Sequence, residues 1–233
     1  TGLSPEYIDF MCWWLKLFAS VAPTHIILGN HDCNLSNKSR QDAISPIVNA
    51  LNDPRIFLYK NSGVYEFSPG FNWCVFSLID EHNWDIVKPV PRKVNIACYH
   101  GPVSGCLTDT NITIEGGLDV SFFKDYDVTL LGDIHRTQFL DFRNGKPYIA
   151  YPGSILQQNY GESLDHGYFL WDIKTRDDFD VKFIKLQNPN PFVTVEWQGS
   201  VDTTVRHIVD SCKKGSRVRL RSSVKIPQGD MSE

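Results

Sequence analysis

No stretch of the 233 residues approaches the roughly 18 consecutive apolar residues that a membrane-spanning helix needs. The sequence also has no internal repeat and no low-complexity tract, which excludes solenoid and disordered architectures. Its cysteines are few and scattered: Cys12, Cys33, Cys74, Cys98, Cys106 and Cys212 form no C-x-x-C pair and no zinc-ribbon spacing. Cys12, Cys74 and Cys98 lie in apolar stretches, where cysteine acts as a small core residue, so a reducing compartment is expected. Basic excess is missing too. The formal charge is −4, which gives no overall nucleic-acid signature but leaves room for a local basic strip. Thr1-Gly2-Leu3 is neither a methionine start nor a signal peptide, and Gly229 to Glu233 form no recognisable closing element. The expectation is a segment cut at both ends.

What is present is the material of a packed α/β domain, with 42% hydrophobic and 12% aromatic residues. Ser4-Pro5-Glu6 opens a helix with a capping serine, a proline at the first helical position and an acid in the first turn. Apolar residues from Tyr7 to Phe18 recur at helical spacing, and Pro23 closes the helix. His25 to Leu28 reads as a short strand, residues 33–51 as a polar, helix-prone stretch, and Ile56 to Tyr59 as another strand. From Gly63 the texture becomes strand-rich. Ser68-Pro69-Gly70 separates Val64–Phe67 from Trp73–Leu78, and Val94–Tyr99 and Asp127–Leu131 read as buried strands. Arg143-Asn144-Gly145-Lys146 turns a hairpin, and Gly167–Ile173 with Phe179–Leu186 forms a last one. Asn188-Pro189-Asn190-Pro191 is the best linker. A strand, a helix and a strand follow it, too little to fold alone.

Three apolar strands end directly in loops that carry potential metal ligands: Asn30 and His31, then His100, then Asp133 and His135. Loops at the carboxyl ends of strands are where α/β folds bind ligands, and a glycine (Gly29, Gly101, Gly132) lets each backbone turn sharply. Gly-Asn-His-Asp alone is an ordinary turn sequence, but three such clusters in order point to one convergent metal site. His25, His82, His166 and His207 read as core, loop, turn and helix residues, and Asp85, Asp109, Asp119, Asp125 and Asp165 as loop and cap residues.

Gly29-Asn30-His31-Asp32, Tyr99-His100-Gly101 and Gly132-Asp133-Ile134-His135 resemble the later motifs of the calcineurin-like metallophosphoesterases. Tyr151-Pro152-Gly153-Ser154-Ile155, Gln157-Gln158-Asn159, Gly161-Glu162 and His166-Gly167-Tyr168 narrow the resemblance to the SbcD-type nuclease subunits of DNA repair and recombination. The resemblance covers residues 1–187 and implies an α/β metallophosphoesterase sandwich, two packed β-sheets flanked by helices, incomplete at its N-terminus. Residues 188–233 would begin a small α+β capping domain that reads DNA. The activity implied is that of a DNA exo- or endonuclease using two divalent metal ions, by family habit manganese. Asn30, His100 and Asp133 would hold one ion and His135 the other. His31 would act on the transition state or protonate the leaving oxygen, and Asp32 would orient it.

Two departures from the family pattern stand out. The family has histidine at the place of Asp133, and its early Asp-x-His and Gly-Asp motifs are absent. His135 would then be alone at the second ion. By that count the chain binds at most one manganese, weakly, and does not cleave DNA by itself. The same resemblance implies an SbcC-type coiled-coil ATPase as partner, a homodimer, and a cytoplasmic place in a bacterial or phage-infected cell. Arg217, Arg219 and Arg221, followed by Lys225, alternate along one strand as phosphate contacts would, or as a solvated strand face would. Two readings compete with the nuclease: a metallophosphatase of another substrate class, and a non-catalytic scaffold that docks an ATPase.

Overall fold

The computed structural model describes residues 4–226. The ends at 1–3 and 227–233, on which the expectation of a cut segment rests, lie outside the described residues. Helix α1 runs Pro5–Val21, as its sequence signals require. The Ser4 hydroxyl accepts the Tyr7 N–H at 3.2 Å, and at the far end the Ala22 N–H returns to the Phe18 carbonyl at 3.0 Å. Its inner face, Leu15 and Ala19, packs with Ile47 and Ile56 in a small apolar cluster. Its outer face leaves Phe10, Trp13, Leu17 and Val21 exposed.

Strand β1 (Thr24–Ile27) follows and pairs in parallel with β2 (Ile56–Tyr59). Between them the expected long helix is reduced to α2, Ile44–Leu51. Residues 31–43 are turns because their short polar side chains take the backbone donors themselves. Asn34 Oδ1 accepts the N–H groups of Ser36 and Asn37, and Asp42 Oδ1 those of Ile44 and Ser45. Asp42 is thereby fixed where α2 begins, and Lys60 Nζ pairs with it at 2.9 Å.

The main sheet has six strands in the order β3-β4-β5-β6-β8-β7, with β3 Gly63–Ser68, β4 Phe71–Phe76, β5 Val94–His100, β6 Val128–Gly132, β7 Gln138–Arg143 and β8 Lys146–Tyr151. The four central strands β4, β5, β6 and β8 are parallel, and β3 and β7 close the edges as antiparallel hairpin partners. The central strands are almost continuously buried, as parallel strands covered on both faces must be. The β7–β8 turn places Asn144 at φ 52° and Gly145 at φ 77°, which suits the twist of a two-residue hairpin.

The α/β class agrees with the sequence, but the second large sheet of a sandwich is not seen. Among the described residues the other strands form two-stranded pieces. The β1–β2 pair covers one part of the main sheet, where His25 meets Trp73 and Phe67 at 5.5 Å between ring centroids. The hairpin β9 (Gly167–Ile173) with β10 (Phe179–Lys185) adds Trp171, Ile173 and Phe179 to the main core. After Pro191 the chain forms a small βαβ unit: β11 Phe192–Glu196, α3 Val201–Ser211 and β12 Arg217–Arg221, with the strands parallel. Gln157 ties this unit down by exchanging hydrogen bonds with both backbone groups of Phe192, at 3.1 and 3.3 Å.

All six cysteines are free thiols. Cys74, Cys98 and Cys106 are buried, Cys12 is half-buried, and burial pushes the Cys74 thiol up to about 12. No helix among the described residues is long and apolar enough to cross a membrane.

Candidate metal centre

The register of the parallel strands assembles the site. His100, the last residue of β5, is aligned with Gly132, the last of β6, and the Gly101 N–H reaches the Gly132 carbonyl at 3.3 Å. The imidazole of His100 therefore lies directly over Gly132. A β-carbon added at Gly132 would come within 2.7 Å of His100 Nδ1, and one at Gly29 within 2.9 Å of His100 Cε1. These two glycines are required by the close approach of the ring. Asp133 follows at φ 89°, a left-handed conformation that a non-glycine residue adopts only under local constraint.

Three side chains converge there. Asn30 Nδ2 donates to Asp133 Oδ1 at 3.0 Å, Asn30 Oδ1 lies 3.3 Å from His100 Nε2, and His100 Nε2 is 3.6 Å from Asp133 Oδ1. Burial holds the His100 imidazole below the usual histidine range, and the negative charges of Asp133 and Asp32 work against that shift. A neutral imidazole, an amide oxygen and a carboxylate within one hydrogen bond's reach of each other suit a divalent cation. They line a groove of about 240 Å³ that also includes His31, Asp32, His135, Ser154 and Gln158.

His31 is exposed on that groove. Asp32 does not make the contact expected of it. Its Oδ2 accepts the Gly29 N–H at 2.7 Å, and no hydrogen bond joins it to His31 among the described residues. The carboxylate is consumed in closing the turn after β1, because Gly29 in that turn has a free backbone donor and no side chain to shield it.

His135 was expected to stand alone. Instead Asp109 and Glu162 come near it, with one ligand atom from each residue within 4.8 Å of the others. His135 Nδ1 is 3.3 Å from Glu162 Oε1, whose side chain is buried. The Gln158 N–H and Asn159 Nδ2 donate to the Glu162 carboxylate, each at 2.7 Å. Burial and the nearby charge of Glu162 push the Asp109 carboxyl above the usual range. His166, expected at a turn, is a buried side chain at this carboxylate, with Nε2 3.7 Å from Glu162 Oε2.

Sequence reasoning missed Asp109, Glu162 and His166. They sit in loops without period: the close return of the chain at Gly153 brings the segment of Glu162 and His166 past His135, and Gln138, by exchanging hydrogen bonds with Leu107, holds the Asp109 loop there. Gly153 has φ 79°, and the Ser154 N–H bonds the His135 carbonyl at 2.9 Å. The available signal was the run from Ser154 to His166, read as a family marker and not as a source of ligands.

Arg217, Arg219 and Arg221 share one exposed face of β12. Arg217 lies over the Phe192 ring and Arg219 over the Tyr160 ring, both at 4.8 Å, while Arg221 Nε pairs with Glu196 Oε1 at 2.6 Å.

No protein-family model matches the chain. Two viral proteins are similar to it. "Uncharacterized protein R555" of Acanthamoeba polyphaga mimivirus is 39% identical over 212 residues, which is 84% of this chain and 15% of that protein. "Putative phosphoesterase 244L" of Invertebrate iridescent virus 6 is 26% identical over 160 residues, 64% of this chain and 51% of that one. The chain thus spans about a seventh and about half of the relatives it matches.

Proposed function

We propose that the chain belongs to a metal-dependent phosphoesterase acting on DNA, a nuclease of the SbcD type. The observation that carries this reading is the convergence of Asn30, His100 and Asp133 at the carboxyl ends of three strands, within 3.6 Å of one another. The likeness to a viral protein named as a phosphoesterase supports the reaction class. Bound divalent cations supply water activation and charge neutralisation in this chemistry. Asn30, His100 and Asp133 would hold one such ion, and His135 would contribute to a second. His31, exposed beside them, is free to give a proton to the leaving oxygen, while Asp32 holds the turn that presents it.

Duplex DNA as substrate, an SbcC-type coiled-coil ATPase as partner and a homodimer belong to the same reading. The exposed strip of Arg217 and Arg219, held over aromatic rings, favours a polyanion along β12. The exposed apolar face of α1 offers a surface for a second subunit. The test is hydrolysis of linear duplex DNA and of a simple phosphomonoester, each with manganese, by a protein that joins this chain to the family's early Asp-x-His and Gly-Asp motifs; the chain by itself should cleave neither. Release of nucleotides from DNA that disappears in His100→Ala supports the nuclease. Turnover of the monoester alone would transfer the fold to a phosphatase, and hydrolysis that survives His100→Ala would sink the site.

A further inference from the structure

A second cluster beside the groove has polar groups whose partners do not balance. His166 Nδ1 lies 2.8 Å from the Ser154 carbonyl, which can only accept, so Nδ1 carries the proton. In the neutral imidazole Nε2 is then an unprotonated lone pair. This atom is buried, has no hydrogen-bond partner among the described residues, and lies 3.7 Å from Glu162 Oε2. Two acceptors face each other in a buried place. His135 Nδ1 approaches the other oxygen of the same carboxylate at 3.3 Å, and Asp109 brings a second carboxylate to within 4.8 Å.

We propose that Asp109, His135 and Glu162, completed by His166 Nε2, bind one divalent cation. A dipositive ion is the partner that satisfies a lone pair and two carboxylates together. Donor atoms around one ion with bonds of roughly 2.0–2.2 Å are separated by about 3.0–3.6 Å, close to the two distances measured from Glu162. Two imidazoles with two carboxylates suit zinc or manganese. The ion has an entrance as well. A cavity of about 590 Å³ opens on the cluster and is lined by Asp109, Arg136, His166 and Lys185. Gln158 and Asn159 hold the Glu162 carboxylate in position as supporting donors around a ligand do. The inference shares with the phosphoesterase reading only the use of His135 as a ligand.

The experiment is calorimetric titration of the metal-free chain with Mn²⁺ and Zn²⁺, beside Asp109→Asn, Glu162→Gln and His100→Ala. Asp109 makes no side-chain hydrogen bond among the described residues, so Asp109→Asn is compatible with the fold. Glu162→Gln turns its NH2 toward the Gln158 N–H or Asn159 Nδ2, and is accepted as a metal variant only if its metal-free unfolding matches that of the native chain. One equivalent of metal should weaken at least ~10-fold in both cluster variants and persist in His100→Ala. Zn²⁺ should also raise the melting temperature of the native chain by more than that of Asp109→Asn. Isotherms of both cluster variants that match the native chain would overturn the site, as would a native chain that binds neither ion. Loss of metal in the cluster variants alone, with His100→Ala unchanged, supports this site and removes the metal set argued for the groove.

Discussion

At the scale of single residues, the groove separates side chains that hold from side chains that act. Asn30, His100 and Asp133 contact one another, whereas His31 stands exposed beside them with no side-chain hydrogen bond among the described residues. In a protein that joins this chain to the family's early Asp-x-His and Gly-Asp motifs, His31→Ala should therefore leave manganese binding nearly intact and lower phosphoester hydrolysis by about 10²-fold, the scale of a lost general acid. Metal content and turnover of the same preparation decide it, and metal loss equal to that of His100→Ala would make His31 a ligand. Asp133 adds a backbone condition, since its φ is 89°. Asparagine and histidine tolerate that conformation better than other side chains. Asp133→Asn should fold normally but bind manganese more weakly, while Asp133→His should retain the ion through its imidazole. Equal isotherms for all three proteins would reduce Asp133 to a turn residue.

At the scale of elements, the strands and α1 were legible because burial imposes a period on them. The loops around the site were legible only where they begin at strand ends. Asn30, His100 and Asp133 each follow a run of apolar residues, so a linear reading finds them. Asp109, Glu162 and His166 are brought together by the return of the chain past His135 and by the Gln138–Leu107 contact, tertiary events with no local pattern. Residues 31–43 failed for another reason: Asn34 and Asp42 capture backbone donors that a helix would have used.

The return at Gly153 can be tested directly. A β-carbon there would lie 2.4 Å from the His135 carbonyl, and φ is positive. Gly153→Ala should lower stability by about 1–3 kcal/mol in denaturant unfolding and weaken metal binding at His135. Native stability in that variant would show that the loop is not constrained.

The β1–β2 pair carries its own pH dependence. His25 stacks on Phe57 and Tyr59, and burial lowers its pKa from the ordinary 6.5. The unfolded chain then binds this proton more readily than the folded one. The stabilisation is present above pH 6.5 and lost as pH falls from there through the lowered folded value. Unfolding curves between pH 5 and 8 should show this loss in the native chain and a flatter profile in His25→Phe. Identical profiles would mean that His25 titrates freely.

At the scale of the whole molecule, a net charge of −4 gives no general attraction for DNA, so binding must be local. Arg217 and Arg219 have no carboxylate partner among the described residues, while Arg221 already pairs with Glu196. If β12 meets phosphates, Arg217→Ala and Arg219→Ala should each flatten the salt dependence of duplex binding, by about 0.9 in log–log slope. Arg221→Ala should change it less. A slope indifferent to all three would leave the strip as a solvated strand face.

The central claim is that the carboxyl ends of β1, β5 and β6 form a metal centre. The most direct measurement is electron paramagnetic resonance of Mn²⁺, whose free-ion signal falls as protein binds it. In an Asp109→Asn background, which silences the second cluster, the chain should deplete the signal saturably, and adding His100→Ala should demand at least ~10-fold more protein for the same depletion. A titration with His100→Ala added that overlays the Asp109→Asn curve at every concentration would contradict the account.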